Sequence, residues 1–176
     1  DPLRHALARL AAGTGLTEAE ARAAIAVVIS GEAPPSAIGE LLLGMRARGE
    51  SPEEVTGTAT ALRSAMRRVA LPDRERLVDT CGTGGGQVRT LNISTAAALV
   101  AAGAGVPIAK HGNRSFSSRS GSADVLEALG VAIDIAPEDL AEVMATAGIA
   151  FLYAPTFHPA MRHAAAVRRE LGVATV

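Results

Sequence analysis

The stretch VDTCGTGGGQVRTLNIST, from Val78 to Thr95, decides how the second part of this chain folds. It leads from a short apolar segment through Gly82–Gly86, where four glycines occupy five positions, into an alanine-rich segment. A glycine inside a chain costs about 0.5–1 kcal/mol relative to alanine, so a loop this rich in glycine needs a reason. The candidate reasons are a tight turn between a strand and a helix, and backbone N–H groups that converge on an anion.

Two common nucleotide-binding motifs do not fit this loop. The dinucleotide pattern G-x-G-x-x-G requires a third glycine where Gln87 stands, and the P-loop requires Lys-Ser or Lys-Thr after the glycines. What remains is a loop without side chains, followed by Asn92, Ser94 and Thr95 at the start of a predicted helix over 94–104. Unpaired N–H groups at a helix start favour phosphate. The alternative is that Ser94 only caps the helix and the glycines only turn the chain.

A second polar cluster, AKHGNRSFSSRSGSAD from Ala109 to Asp124, also lies between a predicted strand and a predicted helix. Its Lys and Arg side chains supply charge for phosphate oxygens, and its serines and backbone amides supply directional donors. Ligands of open α/β sheets bind beyond the carboxyl ends of the strands, so we expect both clusters to face one cavity. Together they predict a site for a molecule with more than one phosphate, although each residue alone also fits a solvated loop.

The hydrophobic pattern predicts an α/β protein: an N-terminal all-helical domain over residues 1–70, followed by a mostly parallel α/β sheet domain over residues 71–176. Capping signals at Thr17–Glu20 and at Ser51–Glu54 start two of the helices, and the second should run to about Arg68. We expect the sheet to be incomplete at the C-terminus, because the chain stops where a new strand begins. The predicted strands are Leu77–Thr80, Val106–Lys110, Val131–Ile135 and Ile149–Tyr153.

Composition limits the partners of the chain. Its 176 residues include 17 Lys and Arg against 18 Asp and Glu, which gives no bulk field for nucleic acid or membrane. No apolar run reaches the roughly 18–20 residues that a membrane-spanning helix needs. The single cysteine, Cys81, cannot form an internal disulfide and indicates a reducing, cytoplasmic location. The helical layer has more apolar surface than one small sheet can cover, from Ile25, Val28, Ile29, Leu41, Leu42 and Met45.

The segments DTCGTGGGQVRTLNISTAAALVAAGAGV and AKHGNRSFSSRSGSADVLEALGV resemble the anthranilate phosphoribosyltransferase family, as does FLYAPTFHPAMRHAAAVRRELG from Phe151 to Gly172. The resemblance covers essentially the whole chain and is most specific from Val78 onward. It implies transfer of phosphoribose from phosphoribosyl pyrophosphate (PRPP) to the amino group of anthranilate, with release of pyrophosphate and help from Mg²⁺, in tryptophan biosynthesis. It also implies a homodimer paired through the helical layer; the alternative is that this layer packs only within the chain.

The resemblance also implies roles for individual residues. Asn113 and Arg168 match positions that meet anthranilate, with Gly82, His111 and His158 nearby. The Arg168 guanidinium suits the anthranilate carboxylate, whereas the alternative is a solvated helix arginine. No residue is assigned as catalytic, although His111 could assist proton removal or orient the acceptor ring. The Ser94 hydroxyl resembles a Mg²⁺ ligand. The implied PRPP-binding residues are Gly82, Gly85, Gly86, Thr90, Asn92, Ile93, Ser94, Thr95, Lys110, His111, Gly112, Asn113, Arg114, Ser115, Phe116, Ser117, Ser118 and Ser122.

Two departures from the family pattern matter. Gly86 stands where the family often has an acidic residue, and the family's acidic Mg²⁺-binding pair lies well beyond residue 176. The chain therefore resembles an N-terminal half, which could bind phosphates without turning over. Three alternatives stay open: a pyrimidine nucleoside phosphorylase, although Thr80-Cys81 replaces its lysine–histidine pair; a phosphoribosyltransferase with another acceptor; and a non-catalytic phosphate-binding module.

Overall fold

The computed structural model of the protein describes residues 1–82, 91–115, 120–172 and 175. The chain divides into two compact units, Asp1–Met66 with His158–Val176, and Arg67–Phe157. Within the described ranges, no helix combines the length and the apolar character that crossing a bilayer requires. The elements are α1 (Pro2–Ala11), α2 (Glu18–Ser30), α3 (Pro35–Arg48), α4 (Pro52–Ala65), α5 (Ile93–Gly103), β1 (Ile108–Gly112), α6 (Ser122–Ala128), α7 (Leu140–Ala147), β2 (Ile149–Tyr153), α8 (Ala154–Phe157) and α9 (Arg162–Leu171).

Both predicted capping signals start helices of the first unit, and both are capping boxes. Thr17 Oγ1 accepts a hydrogen bond from Glu20 N (3.3 Å), and Glu20 Oε2 accepts one from Thr17 N (2.8 Å), at the start of α2. Ser51 and Glu54 form the same reciprocal pair at the start of α4, at 3.2 and 2.9 Å. Helix α4 ends at Ala65, before the predicted end near Arg68, because Met66 is extended (φ −73°, ψ 150°).

The first unit encloses one apolar core between α1–α4 and α9. Leu41 and Met45 of α3 are fully buried, and Val167 brings α9 into the same cluster. The six apolar residues that suggested surplus surface all lie in or against this core: Ile25, Val28, Ile29, Leu41, Leu42 and Met45. Because the unit itself covers them, these residues do not argue for a second subunit.

A carboxylate lies inside the same unit. Glu54 is 0% exposed; its Oε1 accepts hydrogen bonds from Leu16 N (2.9 Å) and Arg48 Nη1 (3.1 Å), and its Oε2 accepts one from Ser51 N (2.9 Å). Burial raises the pKa of this carboxyl, but the hydrogen bonds from Leu16, Ser51 and Arg48 outweigh burial and bring the pKa below its ordinary value. Glu54 thus joins Leu16, which precedes the N-cap of α2, to the start of α4.

The second unit is built on parallel strands. β1 and β2 pair in parallel, with Ile108 opposite Ile149. Val78 pairs with the other side of β1, donating to Pro107 O and accepting from Ala109 N, both at 3.0 Å. Helix α5 leads from Val78 to β1, and α6 and α7 lead from β1 to β2, which are the crossovers that parallel strands require. The predicted fold class, a helical part followed by a parallel α/β part, is confirmed, whereas the domain boundary at residue 70 stays a prediction.

Two predicted strands differ from the structure. The segment Leu77–Thr80 forms only a single bridge at Val78, and Val131–Ile135 forms no strand. The second prediction is wrong because the apolar alternation there reflects burial: Ile133 is buried and packs in the cluster of Leu126 and Phe151. No described strand pairs with this segment, so Ile133 is buried without belonging to a hydrogen-bonded ladder, while Val131 is 42% exposed.

Candidate anion-binding site

Two segments leave the parallel strands at the same edge of the sheet. Residues 79–82 follow the Val78 bridge, and residues 113–115 follow β1. The Asp79 carboxylate joins the two, because its Oδ1 accepts hydrogen bonds from Cys81 N (3.0 Å) and His111 N (3.3 Å). The start of the glycine-rich loop and the end of β1 therefore lie side by side, as the strand-end reasoning predicts.

The start of α5 is hydrogen-bonded to the first of these segments and to Ser120, which lies just before α6. Thr80 Oγ1 donates to Ser94 O (2.7 Å), and Asn92 Nδ2 donates to Ser120 O (3.2 Å). Asn92, not Ser94, is the N-cap of α5, and the described structure contains no side-chain capping hydrogen bond there. The alternative that Ser94 only caps this helix is therefore wrong. Of the first three N–H groups of α5, those of Ile93 and Thr95 donate to Leu91 O (2.7 Å) and Asn92 O (3.0 Å). Among the described residues, the Ser94 N–H has no acceptor and stays available to an anion.

Lys110 is the only lysine of the chain, among 17 lysine and arginine residues. It lies in β1 and is 3% exposed. Among the described residues, no carboxylate forms an ion pair with its ammonium group. Because a buried charge is strongly unfavourable without a partner of opposite charge, this position is suited to holding an anion.

Cys81 lies close to the Lys110 charge, but its other surroundings favour the protonated thiol. A hydrogen bond with Asp79, together with burial, raises the pKa of the Cys81 thiol. The thiol therefore stays protonated at neutral pH, and the thiolate is the reactive form.

Arg114, by contrast, is engaged by two acidic side chains of α6. Its Nη1 and Nη2 donate to Glu127 Oε2 (2.6 Å) and Oε1 (2.7 Å), and Nη1 also donates to Asp124 Oδ1 (3.3 Å). The hydrogen bonds from Arg114 lower the pKa of Glu127, and Glu127, with Tyr153 beside it, raises the pKa of Arg114. The guanidinium charge is therefore already compensated.

Asp124 also binds backbone on both sides of residues 116–119. Its Oδ2 accepts from Gly121 N (2.7 Å) and Ser115 N (3.0 Å). These hydrogen bonds, first from Ser115 and then from Gly121, lower the pKa of the Asp124 carboxyl, and Arg114 adds to the effect. Sequence reasoning missed Asp79, Asp124 and Glu127; the available signal for Asp124 was its capping-box spacing after Gly121.

The backbone around Gly112 and Asn113 packs closely against Ser122 and Phe151. The Ser122 hydroxyl donates to Asn113 O (3.3 Å), and a Cβ at Gly112 would overlap both this hydroxyl and the Phe151 ring. Within the same group, Ile93 is exposed and Thr95 is buried. The described residues of the predicted PRPP set all belong to the second unit: Gly82, Asn92, Ile93, Ser94, Thr95, Lys110, His111, Gly112, Asn113, Arg114, Ser115 and Ser122.

The remaining predicted site residues fall elsewhere. His158 and Arg168 belong to the first unit, where Arg168 Nη2 donates to Thr175 O (3.3 Å). Their roles toward anthranilate stay predictions. Six residues of the predicted PRPP set lie outside the described ranges: Gly85, Gly86, Thr90, Phe116, Ser117 and Ser118.

The metal-binding capacity of this part of the chain is small. No group of three or more His, Cys, Asp or Glu suited to a metal ion occurs among the described residues. Mg²⁺ is usually bound by one or two carboxylates together with substrate phosphates. Ser94, with its neutral hydroxyl, fits as one ligand, and the phosphates of a bound anion would have to supply others.

Comparison with known proteins assigns the class. The helical bundle domain of a glycosyl transferase family matches residues 4–66, and the a/b domain of the family matches residues 74–176. The chain belongs to this glycosyl transferase family.

The individual relatives are anthranilate phosphoribosyltransferases, so the resemblance is confirmed. The protein of that name from Rubrobacter xylanophilus is 55% identical over 174 residues, which are 99% of this chain and 50% of that protein. The crystal structure of the Thermus thermophilus enzyme (TrpD) is 47% identical, with a TM-score of 0.86, over 97% of this chain and 51% of that one. The Saccharomyces cerevisiae enzyme in complex with PRPP and Mg is 27% identical, with a TM-score of 0.89, over 98% and 52%. The chain thus spans about half the length of the relatives that it matches.

Proposed function

We propose that this chain supplies the PRPP-binding part of an enzyme that transfers phosphoribose from PRPP to anthranilate. The products are N-(5-phosphoribosyl)anthranilate and pyrophosphate, a step of tryptophan biosynthesis. The observation that carries the proposal is Lys110, the only lysine, which is 3% exposed and has no ion-pair partner in the described ranges. A polyphosphate would provide the opposite charge at hydrogen-bonding distance. The names of the relatives and the PRPP complex of the yeast enzyme support the same substrate.

The chemistry asks the protein mainly for binding and charge stabilisation. When pyrophosphate leaves, negative charge grows on its oxygens, and preorganised donors that face them lower the barrier. Lys110 and the Ser94 N–H at the start of α5 are the proposed donors. The aromatic amine of anthranilate is neutral, so a strong base is not required; His111 is proposed only to assist. When bound, Mg²⁺ would add charge stabilisation for the leaving group, and Ser94 would hold it as one ligand.

Anthranilate is the proposed acceptor, and Arg168 is proposed to bind its carboxylate. A guanidinium can bind the acceptor carboxylate with two parallel hydrogen bonds. Arg168→Ala should raise the anthranilate concentration needed for half-maximal rate and leave PRPP binding unchanged. An unaltered requirement for anthranilate would remove Arg168 from the acceptor site.

We also propose a cytoplasmic homodimer that pairs through the helical layer. The buried core of the first unit does not require it, but Leu43 of α3 is 42% exposed and supplies apolar surface. Leu43→Glu should lower the mass measured by light scattering from two chains to one. The same mass in both proteins would place the pairing surface elsewhere or exclude it.

A coupled assay tests the transfer reaction. PRPP, Mg²⁺ and anthranilate are mixed with the chain, or with a version as long as its relatives, and the loss of anthranilate fluorescence is followed. Activity in the long version alone would support a half that binds without turning over. PRPP binding with no transfer in either version would favour the alternative of a non-catalytic phosphate-binding module. The absence of both PRPP binding and transfer in both versions would contradict the proposal.

The Lys110 role has a matched pair of variants. Lys110→Met keeps the length of the side chain and removes its charge, so it should weaken PRPP binding about ten-fold or more, the loss expected for one charge-assisted hydrogen bond. Arg169→Met, at an exposed position of α9, removes a cation elsewhere and should leave the affinity unchanged. Calorimetry with PRPP and Mg²⁺ measures both, and equal affinities in the two variants would contradict the role of Lys110. Because Lys110 is the only lysine, PRPP should also slow its acylation by a lysine-selective reagent.

A further inference from the structure

We propose that Arg114 is a positioning residue of the PRPP site and not a phosphate ligand: Asp124 and Glu127 hold it and thereby fix the segment that follows β1. The inference deepens the proposed function, because it assigns roles within the same site. It also revises the family resemblance, which includes Arg114 among the residues that meet PRPP.

The Arg114 guanidinium is already bound by two carboxylates. Arg114 and Glu127 form a two-pronged pair, at 2.6 and 2.7 Å, and Asp124 adds a third contact at 3.3 Å. Arg–carboxylate pairs of this form use the same donors that a phosphate would use. The three contacts use three of the five guanidinium N–H donors and compensate its charge, so a phosphate would have to compete with Glu127 and Asp124 for Arg114.

The two acids that bind Arg114 lie on one face of α6, and one of them also binds the backbone. Asp124 and Glu127 are three residues apart on one helix, so their side chains lie on the same face. From this face Asp124 also binds Ser115 N and Gly121 N. A Cβ on Gly121 would overlap the backbone of Asn113, Arg114 and Ser115, so the two backbone segments touch.

The link to the substrate follows from the chain direction. Residues 113–115 continue directly from Lys110 and His111 at the end of β1. We call the contacts of Asp124 and Glu127 with Arg114 and Ser115 the clamp. The clamp restricts the path of the backbone that leaves β1. We expect its loss to disturb PRPP binding, although neither Asp124 nor Glu127 touches the substrate in this proposal.

The two possible roles of Arg114 predict opposite results for Glu127→Gln. If Arg114 positions the segment, this variant should weaken PRPP binding about five-fold, as expected for the loss of a near-surface ion pair with good geometry. If Arg114 is a phosphate ligand restrained by Glu127, the variant frees it, and PRPP binding should be unchanged or tighter. Calorimetry of the 176-residue chain with PRPP and Mg²⁺ measures the difference, and the second result would overturn the proposal.

A double variant and a control sharpen the test. Arg114→Gln combined with Glu127→Gln should bind PRPP within about two-fold of Arg114→Gln alone, because both changes break one interaction. Additive losses would overturn the proposal. Glu142→Gln, an exposed acid of α7 in the same unit, should change nothing.

Two measurements distinguish a failure of the proposed PRPP binding from a failure of the proposed positioning role of Arg114. If the unsubstituted chain binds no PRPP, the proposed function fails for this chain, and hydrogen exchange of the Ser115 and Gly121 amides then decides on the clamp. Faster exchange in Glu127→Gln than in Glu142→Gln, with equal circular dichroism, supports it. Equal exchange in the two variants overturns it.

Discussion

The Thr80 hydroxyl donates a 2.7 Å hydrogen bond to the main-chain carbonyl of Ser94. The bond joins the segment that enters the glycine-rich loop to the first turn of α5. Asp79 makes the complementary connection, from the same segment to the backbone of His111 at the end of β1. Adjacent residues thus hold the loop entrance against both elements that border the proposed site.

Thr80→Val tests the first of these connections. Valine keeps the shape of threonine and removes the donor, so we expect the free energy of unfolding to fall by about 1 kcal/mol, the usual net value of one hydrogen bond. Urea denaturation followed by circular dichroism measures it. Thr80→Ser keeps the hydroxyl and should retain more of the stability; a valine variant as stable as the parent would contradict the importance of this bond.

Glu54→Gln tests the buried carboxylate of the first unit. An amide has only one acceptor oxygen, whereas Glu54 accepts from Leu16, Ser51 and Arg48 at once. We expect a loss of about 2 kcal/mol, because hydrogen bonds to a charged group are worth about 1.5–3 kcal/mol each. Glu40→Gln, at an exposed position of α3, serves as the control in the same denaturation series. Equal midpoints for the two variants would contradict the prediction.

Gly57→Ala tests the close approach of α2 and α4. A Cβ at Gly57 would overlap Glu18 O and lie 2.9 Å from both Ala21 Cβ and Arg22 N. Alanine is the better helix former, yet we expect a net destabilisation of about 1–3 kcal/mol from overpacking. Gly39→Ala in α3 meets only Val167 Cγ1, at an ordinary 3.7 Å, and should stabilise the protein by up to about 1 kcal/mol. Thermal unfolding of the two variants should therefore shift in opposite directions, and a shared upward shift would contradict the packing.

Glu20 predicts a dependence of stability on pH. Backbone and side-chain contacts with Thr17, and the contact with His5, lower the pKa of Glu20 from 4.5 to about 2. A carboxyl whose pKa is lower in the folded state stabilises the fold above its unfolded pKa and loses this contribution as pH falls. The stabilisation by Glu20, measured as the difference between the parent and Glu20→Gln, should therefore be present above the ordinary pKa of 4.5 and be lost progressively as pH falls toward 2. Urea denaturation at several pH values measures it, with Glu32→Gln, an exposed loop variant, as the control. A difference that does not change between about pH 5 and pH 2 would contradict the assignment.

Local signals in the sequence predicted much of the fold. The helix starts at Thr17 and Ser51 were predictable because capping depends on residues only three positions apart. The parallel orientation of Val78, β1 and β2 followed from the alternation of strands and helices. The failure at Val131–Ile135 has a physical cause: a single buried residue, Ile133, with apolar neighbours gives the same alternating pattern whether or not another strand pairs with the segment.

The site was predictable only in part, for a similar reason. Glycine and Lys110 at strand ends have a direct chemical meaning, so both segments could be found from the chain alone. The engagement of Arg114 by Glu127 depends on how α6 packs against the segment after β1. Spacing along the chain does not encode that contact, and a motif that contains an arginine gives the same signal whether the charge is available or compensated.

The first unit takes Val167 and the rest of α9 from the far end of the chain, which affects how the protein is made. On a ribosome, Asp1–Met66 emerges roughly 5–20 seconds before His158, at typical bacterial or eukaryotic synthesis rates. Until then the hydrophobic core lacks α9, so its apolar residues are exposed to chaperones or to premature association. Synthesis of the first unit therefore begins before that of the second, but the first unit can complete its folding only after the second has been synthesised.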